Sequence, residues 1–152
     1  MRFPVIINVD SCQTDPDGRT EHINACYKGA MFEKDGHMFI SYDEKTSDPS
    51  GNADKSITKS MLKISDERVE LSKKGTLNYN MYFERGVKTN VSYATLYGSI
   101  PMTVETFLLD IKSDDPGEVK VNIGYLLDMG GGYVLKCEMD IAAELTEELT
   151  PV

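Results

Sequence analysis

The stretch "YATLYGSIPMTVET" (residues 93–106) alternates in character like one long strand, yet it carries Gly98 and Pro101 in its middle. Proline lacks an N–H and glycine weakens a strand interior, so a single strand with both at its centre would interrupt its own ladder. Gly98-Ser99 is also a favoured pair for a two-residue type II′ turn, with the glycine at the first central position. Read as a hairpin, the stretch sets Tyr97 opposite Ile100, Thr95 opposite Met102, Tyr93 opposite Val104 and Val91 opposite Thr106. Pro101 then falls opposite Leu96, where no hydrogen bonds are exchanged within the hairpin. Such a proline belongs near the end of a sheet.

The same reasoning runs outward in both directions, because a correct register must set apolar residues opposite apolar ones. A three-residue loop at 85–87 brings Met81 to Val91, Tyr79 to Tyr93 and Leu77 to Thr95. A four-residue "DDPG" loop at 114–117 brings Leu108 to Ile123, Thr106 to Tyr125 and Val104 to Leu127, and a "GGG" loop at 130–132 brings Leu127 to Leu135 and Ile123 to Met139. The opposite face carries Asn78, Asn80, Lys112, Lys120, Asn122, Lys136, Glu138 and Asp140, so the sheet has one wet side and one buried side. Towards the N-terminus, Asp35-Gly36 is a type I′ signal that pairs Met31 with Ile40, Gly29 with Tyr42 and Tyr27 with Glu44. Further turn signals stand at 15–18, 47–52 and 65–68, and no dozen residues carry a 3.6-residue apolar stripe. The expectation is an all-β, antiparallel, up-and-down chain of about ten strands that buries its apolar face by closing into a calycin- or lipocalin-like barrel, or by folding into a sandwich.

Length and composition agree with one domain. The chain has 152 residues, 40% hydrophobic and 27% charged, enough for a single core. Residues 1–146 read as that barrel domain and 147–152 as a short acidic tail, with 45–54 as its longest loop. A formal net charge of −9 opposes nucleic-acid binding, and the lysines of "KSITKSMLK" (55–63) read as the solvated face of a strand. The opening "MRFPVIINVD" is too short and too soon interrupted by Pro4, Asn8 and Asp10 to be a signal h-region, and no run of about 18 apolar residues spans a bilayer. Cys12, Cys26 and Cys137 show no CxxC spacing and an odd number cannot all pair, which favours a reducing, cytoplasmic setting without disulfides or structural zinc.

Several segments resemble a known family. "YKGAMFEKDGHMFISYDE" (27–44), "VELSKKG" (69–75), "MYFERG" (81–86) and "YATLYGSIPMTVET" (93–106) are similar to the YwiB-like domain of unknown function, small bacterial proteins with a calycin-like barrel. The most specific part is Thr95, Tyr97 and Gly98 with the apolar and Thr positions up to Thr106. Two positions depart from the pattern: Leu96 stands where Pro is common, and Lys73-Lys74 where an Arg precedes the glycine. A role needing a guanidinium fork would not transfer. The resemblance implies a fold and no activity. A lipocalin Gly-x-Trp is absent, since the chain has no Trp.

The chemistry on offer is an inward face rich in hydroxyls. Tyr27, Tyr42, Tyr79, Tyr93, Thr95, Tyr97, Thr106 and Tyr125, with Glu44, form the candidate ligand-binding set for a small apolar or amphipathic molecule held inside the barrel. The competing reading is a packed core in which these hydroxyls bond one another. Glu44 discriminates, because an inward carboxylate demands a cationic partner or a raised pKa, whereas at a barrel mouth it sits in water. An interaction or homodimerisation module through Tyr82, Val87, Phe32 or Phe39 is the second reading, and an enzyme using Glu44 with Tyr27 and Tyr42 the third. No cofactor or metal is expected. His22 and His37 are the only histidines, Cys12 and His22 face each other on the outer side as a chance pair, Cys137 opposite Tyr125 reads as a buried apolar residue, and "MGGGYV" (129–134) is a hairpin loop rather than a phosphate cradle.

Overall fold

Asp35 and Gly36 take φ of 54° and 79°, the two positive values that a type I′ turn requires and that match the right-handed twist of its flanking strands. The computed structural model describes residues 2–45, 57–75, 78–95, 97–113 and 117–146. Its strands are β1 (Phe3–Thr14), β2 (Thr20–Lys34), β3 (His37–Lys45), β4 (Ile57–Ile64), β5 (Val69–Gly75), β6 (Tyr79–Phe83), β7 (Lys88–Thr95), β8 (Gly98–Lys112), β9 (Glu118–Asp128) and β10 (Val134–Leu145). They form one ten-stranded sheet in the order β6-β5-β4-β3-β2-β1-β10-β9-β8-β7. Sequential neighbours are hairpins, and the first and last strands meet along a ladder from Val5↔Leu145 to Thr14↔Lys136. The remaining edges, β6 and β7, approach through an Ala94 N–H donated to the Asn78 carbonyl at 3.1 Å and through the stacked rings of Tyr79 and Tyr93, 5.6 Å apart. The sheet is therefore a nearly closed antiparallel barrel.

Closure buries one face of every strand, as the alternation requires. Ile7, Ile40, Leu62, Phe83 and Ile123 fill the middle with no exposed surface, and the Phe83 ring tilts against Tyr125 with centroids 4.9 Å apart. One apolar row runs in register through Met31↔Ile40↔Leu62↔Leu71↔Met81. The expected pairs Met31↔Ile40, Gly29↔Tyr42, Thr106↔Tyr125, Val104↔Leu127, Leu127↔Leu135 and Ile123↔Met139 all occur.

Two registers differ from expectation. Thr95 pairs with Gly98, Tyr93 with Ile100 and Val91 with Met102, so the tight turn is closed two residues earlier than the expected Tyr97–Ile100 pair, and Tyr97 at its tip is fully exposed. The displacement moves each partner by an even number of residues, so the inward face is kept and alternation alone does not distinguish the two registers. Gly98 retains a positive φ of 114° as the residue that closes the turn. Pro101 lies opposite Ser92, three pairs from the closing pair Thr95↔Gly98. Alternation from a hydrogen-bonded closing pair makes that a position without exchanged bonds. On its other side the β9 ladder begins only at Thr103↔Asp128, so the missing N–H costs nothing. The second difference is a β-bulge between Thr106 and Leu108: Gly124 faces Leu108, Ile123 faces Leu109, and Leu109 rather than Leu108 is buried. The extra residue, Phe107, sits outside beneath the Lys136 ammonium at 5.6 Å. The pairing of Leu77 with Thr95, the turn at 47–52, the loop at 45–54 and the tail at 147–152 involve positions outside the described residues, as does the side chain of Thr95.

Candidate functional site: a polar layer in the barrel interior

Gly29, Tyr42, Ser60, Lys73 and Tyr79 are register partners in one continuous row across β2 to β6. Gly29 has no room for a side chain: a Cβ there would lie 2.2 Å from the Ser41 carbonyl oxygen and 2.8 Å from Ile7 Cδ1. The bare glycine lets Tyr42 pack in, and its ring stacks on Tyr27 with centroids 4.9 Å apart. The adjacent row is Glu44↔Thr58↔Gly75. Here the interior changes from aliphatic to polar.

Glu44 points inward and is paired. Lys73 Nζ donates to its Oε1 at 2.6 Å, and both side chains are only 12% exposed. The Ser60 hydroxyl, on the strand between them, donates to the same oxygen at 3.4 Å. The Lys73 ammonium also lies 5.9 Å from the Tyr79 ring centroid, within cation–π range. The stacked pairs Tyr27–Tyr42 and Tyr79–Tyr93 thus flank an ion pair that the strands hold away from bulk water. A carboxylate so buried costs several kcal/mol unless a cation compensates it, and β5 supplies that cation.

The phenols register this environment. Burial raises the Tyr42 and Tyr79 hydroxyls far above their ordinary range, and the Glu44 carboxylate adds to both shifts; the Ser60 hydrogen bond to Tyr42 opposes its rise. Tyr27 is raised for the same reasons, burial first and Glu44 second, with Lys73 acting against them. These groups remain neutral hydrogen-bonding phenols through the physiological range and offer donors rather than bases.

The remaining predicted residues separate. Tyr125 lies against Phe83 and Cys137 in the packed middle; burial raises its hydroxyl strongly and pushes the Cys137 thiol up to about 11. Thr106, its partner, is buried with an Oγ1 that has no hydrogen-bond partner among the described residues. Tyr97 is outside the barrel at the turn tip. Of the residues considered for an outer interface, Phe32 and Phe39 stack on each other at 5.0 Å, and Tyr82 donates to Glu84 at 3.2 Å. Cys12 does face His22, whose ring nitrogen pairs with Asp10 rather than with the thiol. Lys73 and Ser60 were not singled out as site residues from sequence. Their place on the buried parity of β4 and β5, with the Met61 and Ser72 partners outside, is the signal that finds them. Among the described residues there is no cluster of three or more His, Cys, Asp or Glu side chains suited to a metal, and no helix long and apolar enough to cross a membrane.

A family model described as a domain of unknown function, DUF1934, matches residues 7–141. The chain belongs to that family. It is 26% identical over 128 residues to the uncharacterized beta-barrel protein YwiB of Bacillus subtilis (strain 168), an alignment covering 84% of this chain and 83% of that protein. The crystal structure of the B. subtilis ywiB protein superposes with a TM-score of 0.81 at 22% identity, covering 95% of this chain and 93% of the other. The likeness bears out the barrel expected from "YKGAMFEKDGHMFISYDE" and "YATLYGSIPMTVET", and at that identity it speaks to fold alone.

Proposed function

We propose that this DUF1934 barrel is a non-catalytic cytoplasmic binder of a small amphipathic molecule, taken up where Tyr27, Tyr42, Tyr79 and Tyr93 surround the Glu44–Lys73 pair. The observation that carries this reading is the ion pair itself, 2.6 Å long and 12% exposed on each side, in the interior of a barrel whose middle row, Met31, Ile40, Leu62, Leu71 and Met81, is apolar. Buried pairs seldom add net stability over a well-packed apolar replacement, so a polar layer in this position is better accounted for by recognition. Ligand sites combine apolar walls with a few converging polar groups, and the stacked tyrosines with Glu44, Ser60 and Lys73 have that make-up. An amphipathic guest would set its apolar body against the rings and its polar head on the carboxylate or ammonium. The free thiols at Cys12, Cys26 and Cys137 suit a reducing compartment.

Native mass spectrometry of protein purified from its own host, paired with an NMR screen of small amphipathic molecules, tests the reading. Expected are a bound mass and shift changes centred on Tyr27, Tyr79 and Tyr93, lost in the Lys73→Met variant. A ligand-free mass together with shift changes confined to the outer faces overturns it.

A further inference from the structure

The outer face of β2 to β5 carries a groove of about 600 Å³ whose charged lining residues are Arg2, Lys28, Lys59, Lys74 and the single acid Asp43. This is opposite in sign to the chain as a whole, at −9. The registers explain its form. Ala30, Ser41, Met61 and Ser72 make one in-register row of small and unbranched side chains, which is the floor. The neighbouring row, Asp43↔Lys59↔Lys74, with Lys28 beside it on β2, makes one wall. On the far side of the floor, beyond the groove's lining, the next outward row is Phe32↔Phe39↔Lys63↔Glu70, with Arg2 over the Phe32 ring at 5.0 Å and Lys63 over Phe39 at 6.0 Å.

Among the described residues the lysines of this groove have no carboxylate within 4 Å, as is also true of Lys34, Lys63, Lys88 and Lys136, but here three of them lie together. Elsewhere Lys73, Arg68, Lys112 and Lys120 each meet a carboxylate within 4 Å, whereas among the described residues Lys28, Lys59 and Lys74 meet none. Acidic residues outnumber basic ones in the chain by 25 to 16, so unpaired lysines side by side are not a shortage of acids. The acids Asp10, Asp110, Glu118, Glu138, Asp140 and Glu144 lie on the outer face of the other half of the barrel, on β1 and β8 to β10. At physiological ionic strength charges further away than about 8 Å are screened, so an anion in the groove meets the local lysines rather than the net charge.

We infer that this groove is a docking site for an extended acidic peptide segment of a partner protein. Crossing β2 to β5 spans about 14 Å at strand spacing, the reach of about four to five residues of extended chain. Acidic side chains would meet Lys28, Lys59, Lys74 and Arg2, and Ser41 and Ser72 supply hydroxyls from the floor. Nucleic acid fits less well. Single-strand readers stack bases on open aromatic faces, but here the two Phe rings stack on each other and their outer faces are covered by Arg2 and Lys63. A longer phosphate chain would also run on towards the acidic half.

Fluorescence anisotropy with a labelled Gly-Glu-Glu-Ser-Glu-Glu-Gly peptide at 50 mM salt tests this, using the whole chain. Expected is saturable binding that weakens at least tenfold at 300 mM salt and at least tenfold in K28E/K59E/K74E. The control K112E/K120E/K136E makes the same change of net charge on the other half and should weaken binding less than threefold, with circular dichroism showing both variants folded. No saturable binding, equal weakening by the two triple variants, or tighter binding of a labelled twelve-residue oligothymidylate than of the peptide each overturns the inference. Because the groove lies outside the barrel, Lys73→Met should leave peptide binding unchanged, so its failure is separable from that of the interior site.

Discussion

Replacing Lys73 with Met removes the only cation within ion-pair distance of Glu44 among the described residues, and both partners are 12% exposed. With charge centres about 4 Å apart and an effective dielectric of about 20, the attraction is about 4 kcal/mol. Removing one partner of a buried pair costs about 3–5 kcal/mol because the other charge is left uncompensated. Residual solvent contact at this site favours the lower end, so about 3 kcal/mol is expected. For a chain of this length that is a fall in Tm of about 6–12 °C. The double variant Glu44→Gln, Lys73→Met leaves no buried charge and should recover at least 1 kcal/mol of the loss, measured as the coupling in a double-mutant cycle by urea denaturation. A loss below about 1 kcal/mol with coupling within about 0.5 kcal/mol of zero would refute the reasoning, since it would mean that the pair is screened by water.

Gly29→Ala drives a Cβ to within 2.2 Å of the Ser41 carbonyl oxygen and should cost about 1–3 kcal/mol, with the Tyr27–Tyr42 stack disturbed in near-UV circular dichroism; a neutral outcome would show that β2 and β3 move apart freely. Thr106→Val deletes a buried hydroxyl that has no partner among the described residues and should raise stability by about 1 kcal/mol, whereas a loss would reveal a partner such as a bound water or ligand. The raised phenols of Tyr42, Tyr79 and Tyr125 ionise more easily in the unfolded chain than in the folded one, so their contribution is full below about pH 10 and is lost as pH rises above it. Denaturation midpoints should therefore fall above about pH 10, and absorbance at 295 nm should show these phenolates appearing only together with unfolding; phenolate formation by all eight tyrosines in an intact fold would contradict their burial.

The sequence by itself determined the strand count, the up-and-down order and which parity faces inward in the strands apart from β8 beyond Thr106, because period-two alternation and turn chemistry are local properties. Asp35-Gly36 and the glycines at 130–132 set their registers unaided. The Gly98 hairpin shows the limit: a shift by an even number of residues preserves every inward side chain, so only the packing of the turn against its neighbours selects Thr95↔Gly98. The bulge at Phe107 was invisible for a related reason, since the pairs before it are correct and alternation resumes one residue later with Leu109 in place of Leu108. Tyr27, Tyr42, Glu44, Tyr79 and Tyr93 were legible as inward residues, and the structure brings them together, while it moves Tyr97 outside and Tyr125 into the packed middle. Whether Glu44 faced water or a partner was decided only by tertiary structure. Its cation lies 29 residues away on a strand that is not its neighbour, and only curvature of the sheet brings Lys73 Nζ to within 2.6 Å of it. Alternation assigns a face to each side chain, but closure of the sheet decides which side chains meet across it.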